Sequence, residues 1–254
     1  MAPKVISIVI FTRDDAEWLA RCLGTLRDAP PDRPIDVIVF DNASQDRTAD
    51  LVRGWRGARG ERASLLHAER DTSFSEGNNL GLRAARGELV LFLNPDTEPT
   101  GAVVSRCAAV LDAAGDIGLL GPRLVFPDGA AQDNGWALPS PPQLVRERLG
   151  RASRWVAPTG DLTDVGWLMG CFLMGRTADL VSIGGFDERY WFHGTDLELC
   201  ARIGRGGWRV TRVESAQMVH RGHKEWTADR RAASRRATWQ WLRTHRGGTH
   251  RGDP

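Results

Sequence analysis

The sequence predicts an α/β fold, a mostly parallel sheet flanked by helices, with a small antiparallel portion in its second half. Three observations carry this. Short β-branched runs without polar interruption suit strands buried on both faces. Segments of helical periodicity alternate with those runs, as right-handed βαβ crossovers require. After about residue 115 the alternation gives way to short segments broken by Pro and Gly, in the manner of hairpins.

Val5-Ile6-Ser7-Ile8-Val9-Ile10-Phe11 opens the fold as a buried strand. Asp14 or Asp15 can cap the next helix, whose Trp18, Leu19, Cys22, Leu23 and Leu26 recur at helical spacing and would pack on the sheet. Val37 to Phe40 is the second strand, and Ser44 or Asp46 caps a helix carrying Leu51, Val52 and Trp55. Ser64 to His67 reads as a third strand, Leu80 to Ala85 as a helix, and Leu89 to Leu93 as a fourth strand. Gly121-Pro122 and Pro127-Asp128-Gly129 read as turns. Residues 130–165, with four prolines among Arg146, Arg148, Arg151 and Arg154, read as a mobile basic excursion that contacts an acceptor. Trp167 to Met174 returns to a strand, Asp196 to Ile203 fits a helix, and Trp208 to Val213 with Ala216 to Val219 give two last strands. The expected organisation is one domain over 1–225, with halves at 1–115 and 116–225. A basic helix over 226–246 and a disordered tail over 247–254 follow.

A chain of 254 residues with 41% hydrophobic and 26% charged residues can bury one full core, which excludes a disordered or collagen-like protein. Net charge of +2 leaves nucleic-acid binding without support. Cys22, Cys107, Cys171 and Cys200 form no CxxC pair and read as structural thiols of a reducing compartment. The N-terminus lacks a signal-peptide pattern, and no apolar run reaches membrane-spanning length, so a cytoplasmic location or the cytoplasmic membrane face is expected. The paired arginines and Trp239, Trp241 and Leu242 of the last helix allow two placements. One packs the Trp side on the domain, the favoured arrangement; the other lies on an anionic membrane.

In open parallel sheets, ligands bind off the carboxyl ends of the strands. There the sequence places Thr12-Arg13-Asp14, Asp41-Asn42 and Asn94-Pro95-Asp96, with Asp196 further on. Neither GxGxxG nor GxxxxGK[ST] follows a strand, so no glycine cradle exists for a diphosphate. A divalent cation held by Asp96 would supply the missing positive charge, because carboxylate oxygens suit Mg²⁺ or Mn²⁺.

Several pieces, in order, resemble one family. They are Ser7-Ile8-Val9-Ile10-Phe11-Thr12-Arg13, Val39-Phe40-Asp41-Asn42-Ala43-Ser44-Gln45-Asp46, Glu76-Gly77-Asn78-Asn79-Leu80-Gly81, Leu93-Asn94-Pro95-Asp96-Thr97, Gly184-Gly185-Phe186-Asp187-Glu188, Asp196-Leu197-Glu198-Leu199-Cys200 and Val219-His220. Together they resemble the inverting family 2 glycosyltransferases of the Rossmann-like GT-A fold, in particular the rhamnosyltransferase-like branch.

The resemblance implies that Thr12 and Asp41 hold the nucleotide, with Arg13, Asp14, Asn42, Asn78, Asn79 and Asn94 on the donor side. Asp96 stands where the family's metal-binding DxD motif ends, Asn94 replaces its first acid, and His220 sits where a late residue can complete the metal site. Asn78 and Asn79 could equally cap a helix. Asp196 fills the position of the catalytic base, preceded by Thr195 where an acid is usual, a change that removes one negative charge and could lower the base's pKa or alter acceptor recognition. Trp167, Gly170, Gly185, Phe186, Asp187 and Thr195 fall on the acceptor side, and Trp136, Trp155 and Trp191 lie near it. The implied reaction passes a sugar with inversion from a dTDP- or UDP-linked donor to a hydroxyl of a glycan, a lipid-linked acceptor or a natural product. A sugar-1-phosphate nucleotidyltransferase and an inactive carbohydrate-binding module are the alternatives.

Overall fold

A computed structural model describes residues 4–148, 154–222 and 228–244, and within these nothing is said of the side chains of 144, 145, 147, 148 and 228–231. The tail 247–254, Arg151 and the start of the last helix at 226 lie outside the described residues.

The chain runs β1 (Ile6–Thr12), α1 (Ala16–Asp28), β2 (Ile35–Asp41), α2 (Thr48–Gly54), β3 (Ser64–His67), α3 (Phe74–Ala84), β4 (Leu89–Leu93), β5 (Thr97–Glu98) and α4 (Gly101–Ala113). It continues through β6 (Ile117–Val125), β7 (Ala131–Gln132), α5 (Pro141–Arg148), β8 (Leu162–Val165), β9 (Phe172–Arg176), α6 (Thr177–Ser182), α7 (Thr195–Arg205), β10 (Arg209–His220) and α8 (Ala228–Thr244). One sheet takes the strands in the order β3-β2-β1-β4-β9-β6-β10-β5, with β7 on β6 and β8 on β10. Strands β3, β2, β1 and β4 are parallel neighbours. Strand β9 enters antiparallel between β4 and β6, so the late part of the chain is built into the same sheet as the early part.

Alternate side chains of β1 feed two cores, as a strand covered on both faces requires. Ile6, Ile8 and Ile10 meet α1 and α4 through Leu19, Leu23, Val104 and Leu111, while Val9 meets Leu82 and Leu180 on the opposite face. The four cysteines are free and buried, and burial pushes the Cys22 thiol up to about 12.

Several expectations are corrected. Gly121-Pro122 lies inside β6 and is no turn, whereas Pro127-Asp128-Gly129 does turn the chain from β6 to β7, with Gly129 at φ 81°. The two last strands expected from Trp208 onward are one strand, Arg209–His220, with a register shift between Val213 and Gln217, because β6 runs alongside both parts. The strand expected at Trp167 begins only at Phe172. Trp18 is 37% exposed instead of packing on the sheet. The excursion over 130–165 is anchored where it is described: buried Arg212 donates to the carbonyls of Asn134 (2.6 Å) and Val156 (2.9 Å), and Trp136 exchanges backbone bonds with Trp167.

Candidate active site

One groove runs along the carboxyl ends of the parallel strands, made of two contiguous cavities of about 650 and 640 Å³. The first holds Thr12, Arg13, Asp15, Asn42, Asp71, Asp96 and His220; the second holds Trp136, Trp167, Gly170, Thr195 and Asp196. Phe74, Asn94, Gln132, Met169, Phe192 and His193 line both.

At the first cavity's inner end, Asp96 Oδ2 lies 3.4 Å from His220 Nε2, and His220 Nδ1 is 2.9 Å from Gln132 Oε1. With Nδ1 donating to Gln132, the Nε2 lone pair and the carboxylate face each other and need a proton or a cation between them. Burial is the strongest influence on Asp96 and opposes its charge, but hydrogen bonding and the charge of His220 outweigh it and keep the carboxyl below its ordinary value. These two side chains fit a divalent cation as a pair of protein ligands, with the remaining positions left to a diphosphate and water. No cluster of three or more His, Cys, Asp or Glu suited to a metal occurs among the described residues.

Further along, the Oγ1 of buried Thr12 has no hydrogen-bond partner, which suits a ligand that supplies one. Asn42 is locked to the backbone of Thr72 by two bonds of 2.8 and 3.1 Å and also donates to Asp71 Oδ1 at 2.9 Å. Arg13 reaches the same carboxylate at 2.7 Å, and the bonds from Asn42 and Arg13 hold Asp71 below the ordinary carboxylate value.

The second cavity centres on Asp196. Its Oδ2 accepts from the Gly170 N–H (3.1 Å) and its Oδ1 from the Leu197 N–H (2.8 Å). Burial nevertheless raises its pKa above the ordinary value, with the two backbone bonds acting against that rise. Desolvation is the dominant influence at this carboxyl. Gly194, at φ 82°, is the N-cap of α7, so Asp196 is not the capping residue. Gly170 must approach closely: a Cβ there would sit 3.3 Å from the Cβ of Asp196. The Asn94 N–H donates to the Cys171 carbonyl at 3.0 Å, joining the end of β4 to the segment that holds Gly170.

The structure brings Thr12, Arg13, Asn42, Asp96 and His220 to one end of the groove, Trp167, Gly170, Thr195 and Asp196 to the other, and Asn94 between them. It leaves the rest out. Asp14, at φ 52°, accepts from the Gln45 N–H outside the groove, and Asp15 lines it instead. Asp15 is held above the ordinary carboxylate value by burial and then by the charge of Asp96. Asp41 is wholly buried behind the groove, bonded to the Ser44 N–H and to His67. Asn78 and Asn79 neither line the groove nor cap a helix, since α3 begins at Phe74 under a Ser73 cap. Asn78 bonds back to the Phe74 carbonyl, and Asn79 bonds the Phe186 carbonyl, the Phe186 N–H and Glu188. Gly185 and Phe186 are packing residues: the glycine, at φ 67°, abuts Asn79, and Phe186 rests edge-on against Phe92. Asp187 pairs with Arg189 away from both cavities.

Sequence reading missed Asp15, Asp71 and Phe192, which sit in loops without periodicity, and Gln132, which lies in the two-residue strand β7, too short to show one. Helix α8 packs Trp241 and Leu242 against Tyr190, Leu197 and Ala201, as the favoured placement expects, while Trp239 stays exposed. No helix among the described residues is long and apolar enough to cross a membrane.

Residues 164–224 match a family model described as N-terminal domain of galactosyltransferase. The chain is 29% identical to the N-acetylglucosaminyl-diphospho-decaprenol L-rhamnosyltransferase of Mycobacterium tuberculosis, across 91% of this chain and 80% of that protein. Its fold resembles a mannosyltransferase from Pyrobaculum calidifontis in complex with GDP-Man and Mn²⁺, with TM-score 0.67 and 20% identity over 98% of this chain and 66% of that one. Glucosyl-3-phosphoglycerate synthase from M. tuberculosis, in complex with Mn²⁺, UDP and glucosyl-3-phosphoglycerate, gives 0.63 and 16% over 97% and 82%. Residues 7–157, more than half of the chain, match the model of glycosyl transferase family 2, and the chain belongs to that family.

Proposed function

We propose that the chain transfers a 6-deoxyhexose such as rhamnose, with inversion, from a nucleoside-diphosphate donor to a hydroxyl of a lipid-linked glycan. The observation that supports this most is the single groove with the Asp96–His220 pair at one end and Asp196 at the other. Asp96 and His220 would hold Mg²⁺ or Mn²⁺, whose charge offsets that of the departing nucleoside diphosphate. Thr12 and Asn42 position the nucleotide, and Arg13 borders it. Asp196, its carboxyl fixed by the Gly170 and Leu197 amides, takes the proton from the acceptor hydroxyl as that oxygen attacks the anomeric carbon. The rhamnosyl donor and lipid-linked acceptor follow from the mycobacterial relative, which carries both in its name.

The test incubates the full chain with dTDP-rhamnose or UDP-sugars, Mn²⁺ and a short-chain prenyl-diphospho-N-acetylglucosamine. Transfer from one donor, lost in Asp196→Asn with nucleotide binding retained, supports the reading. Turnover that persists in Asp196→Asn removes Asp196 from the role.

A further inference from the structure

Neither family-model match reaches α8, since they end at residues 157 and 224. Yet Ser234 and Thr238 of this helix line the cavity that contains Asp196. They stand four residues apart, on the face that also carries Ala237 and Trp241, and that face is the one turned to the domain. Trp241 and Leu242 are buried against Leu197 and Ala201 of α7 and against Tyr190. Ala237 comes so close to Gly194 that a Cβ on the glycine would lie 3.0 Å from its own. Tyr190 Oη meets Thr244 Oγ1 at 3.3 Å, which fixes the far end of the helix.

The hydroxyl hydrogen of Thr238 is donated to the Ser234 carbonyl at 3.0 Å, so its oxygen is left to accept a bond from the cavity side. In the same cavity, Trp136 and Trp167 stack with centroids 4.4 Å apart. Hydroxyls together with an aromatic face are the combination that holds a pyranose, whose OH groups need partners and whose C–H face needs an apolar surface.

We infer that α8 completes the acceptor subsite and selects the acceptor, with Ser234 and Thr238 binding hydroxyls of its terminal pyranose. This rests on the reading of the Asp196 cavity as the acceptor side. The hydroxyls act on acceptor binding and leave the donor end untouched.

Binding of methyl N-acetylglucosaminide and of farnesyl-diphospho-N-acetylglucosamine to the full chain, followed by tryptophan fluorescence, tests this in wild type, Ser234→Ala/Thr238→Val and Thr238→Ser. The double variant should weaken both probes about tenfold, the loss of one or two hydrogen bonds, and Thr238→Ser should bind as wild type. Trp239→Ala, on the exposed face of α8, should change nothing. Wild-type affinity in the double variant overturns the proposal, and so does a wild type that binds neither probe. Binding of dTDP or UDP with Mn²⁺ is measured in parallel: its absence counts against the donor reading, while the sugar comparison still decides the role of α8. If the double variant unfolds, Thr238→Val against Thr238→Ser, matched in circular dichroism, carries the same decision.

Discussion

Asp96 Oδ2 and His220 Nε2 lie 3.4 Å apart, with Gln132 behind the imidazole at 2.9 Å. Under the proposed function, a carboxylate, an imidazole and a residue orienting that imidazole would make a cation seat of two protein ligands supported from behind. If nucleotide and cation bind here together, a nucleoside diphosphate raises the melting temperature only with Mn²⁺ or Mg²⁺ present, and Asp96→Ala abolishes the rise. Gln132→Leu keeps both ligands but frees the ring, and Mn²⁺ affinity measured by calorimetry should fall about 10–100-fold.

Thr12 makes a prediction of opposite signs for the free and bound protein. Its Oγ1 is buried without a partner, and a group left so costs about 1–3 kcal/mol. Thr12→Val keeps the shape and removes the polar atom, so the nucleotide-free protein should unfold at equal or higher denaturant concentration. Nucleotide affinity in the same variant should drop.

Because burial holds Asp196 above the ordinary carboxylate value, its proton stays on to a higher pH than in a solvated aspartate. As the base, Asp196 works only when ionised, so kcat/KM should fall on acidification earlier than a free carboxylate would dictate. Asp196→Asn should remove transfer at every pH. Gly170→Ala crowds the same carboxylate and should lower kcat while leaving donor affinity unchanged, as read by steady-state kinetics and calorimetry.

Asn79 tests whether the Glu76-Gly77-Asn78-Asn79 segment is structural. It satisfies both the carbonyl and the N–H of Phe186, so Asn79→Ala strands buried polar groups and should destabilise the fold by about 2 kcal/mol, within the usual range for such losses. Nucleotide affinity, measured by calorimetry on the folded fraction, should not move.

The parallel strands were legible because each is a run buried on both faces, and the ends of β1, β2 and β4 then located Thr12, Asn42, Asn94 and Asp96. Asp14 and Asp15 could not be told apart by pattern. A left-handed backbone at Asp14 turns its carboxylate to Gln45 and leaves Asp15 for the groove. The start of α3 carried a readable signal, Ser73-x-x-Glu76, in which Ser73 accepts from the Glu76 N–H. Asn78 and Asn79 drew attention instead because the resemblance puts them on the donor side. Strand β9 was misplaced because Trp167 to Cys171 is as apolar as a strand, and only the partner strands decide where the ladder begins. The Trp side of α8 showed that the helix packs on the domain, but its partner α7, a contact between distant segments, left no local periodicity to read.

The bond from Asn94 to the Cys171 carbonyl, with Gly170 next in the chain and bonded to Asp196, makes a continuous backbone bridge between the two ends of the groove. Under the proposed reading, the reach from the Asp96–His220 pair to the base is thereby set by peptide geometry at the adjoining ends of β4 and β9. Loops can change which molecules enter the groove without altering that reach, so substrate range and chemical step can diverge independently in this scaffold.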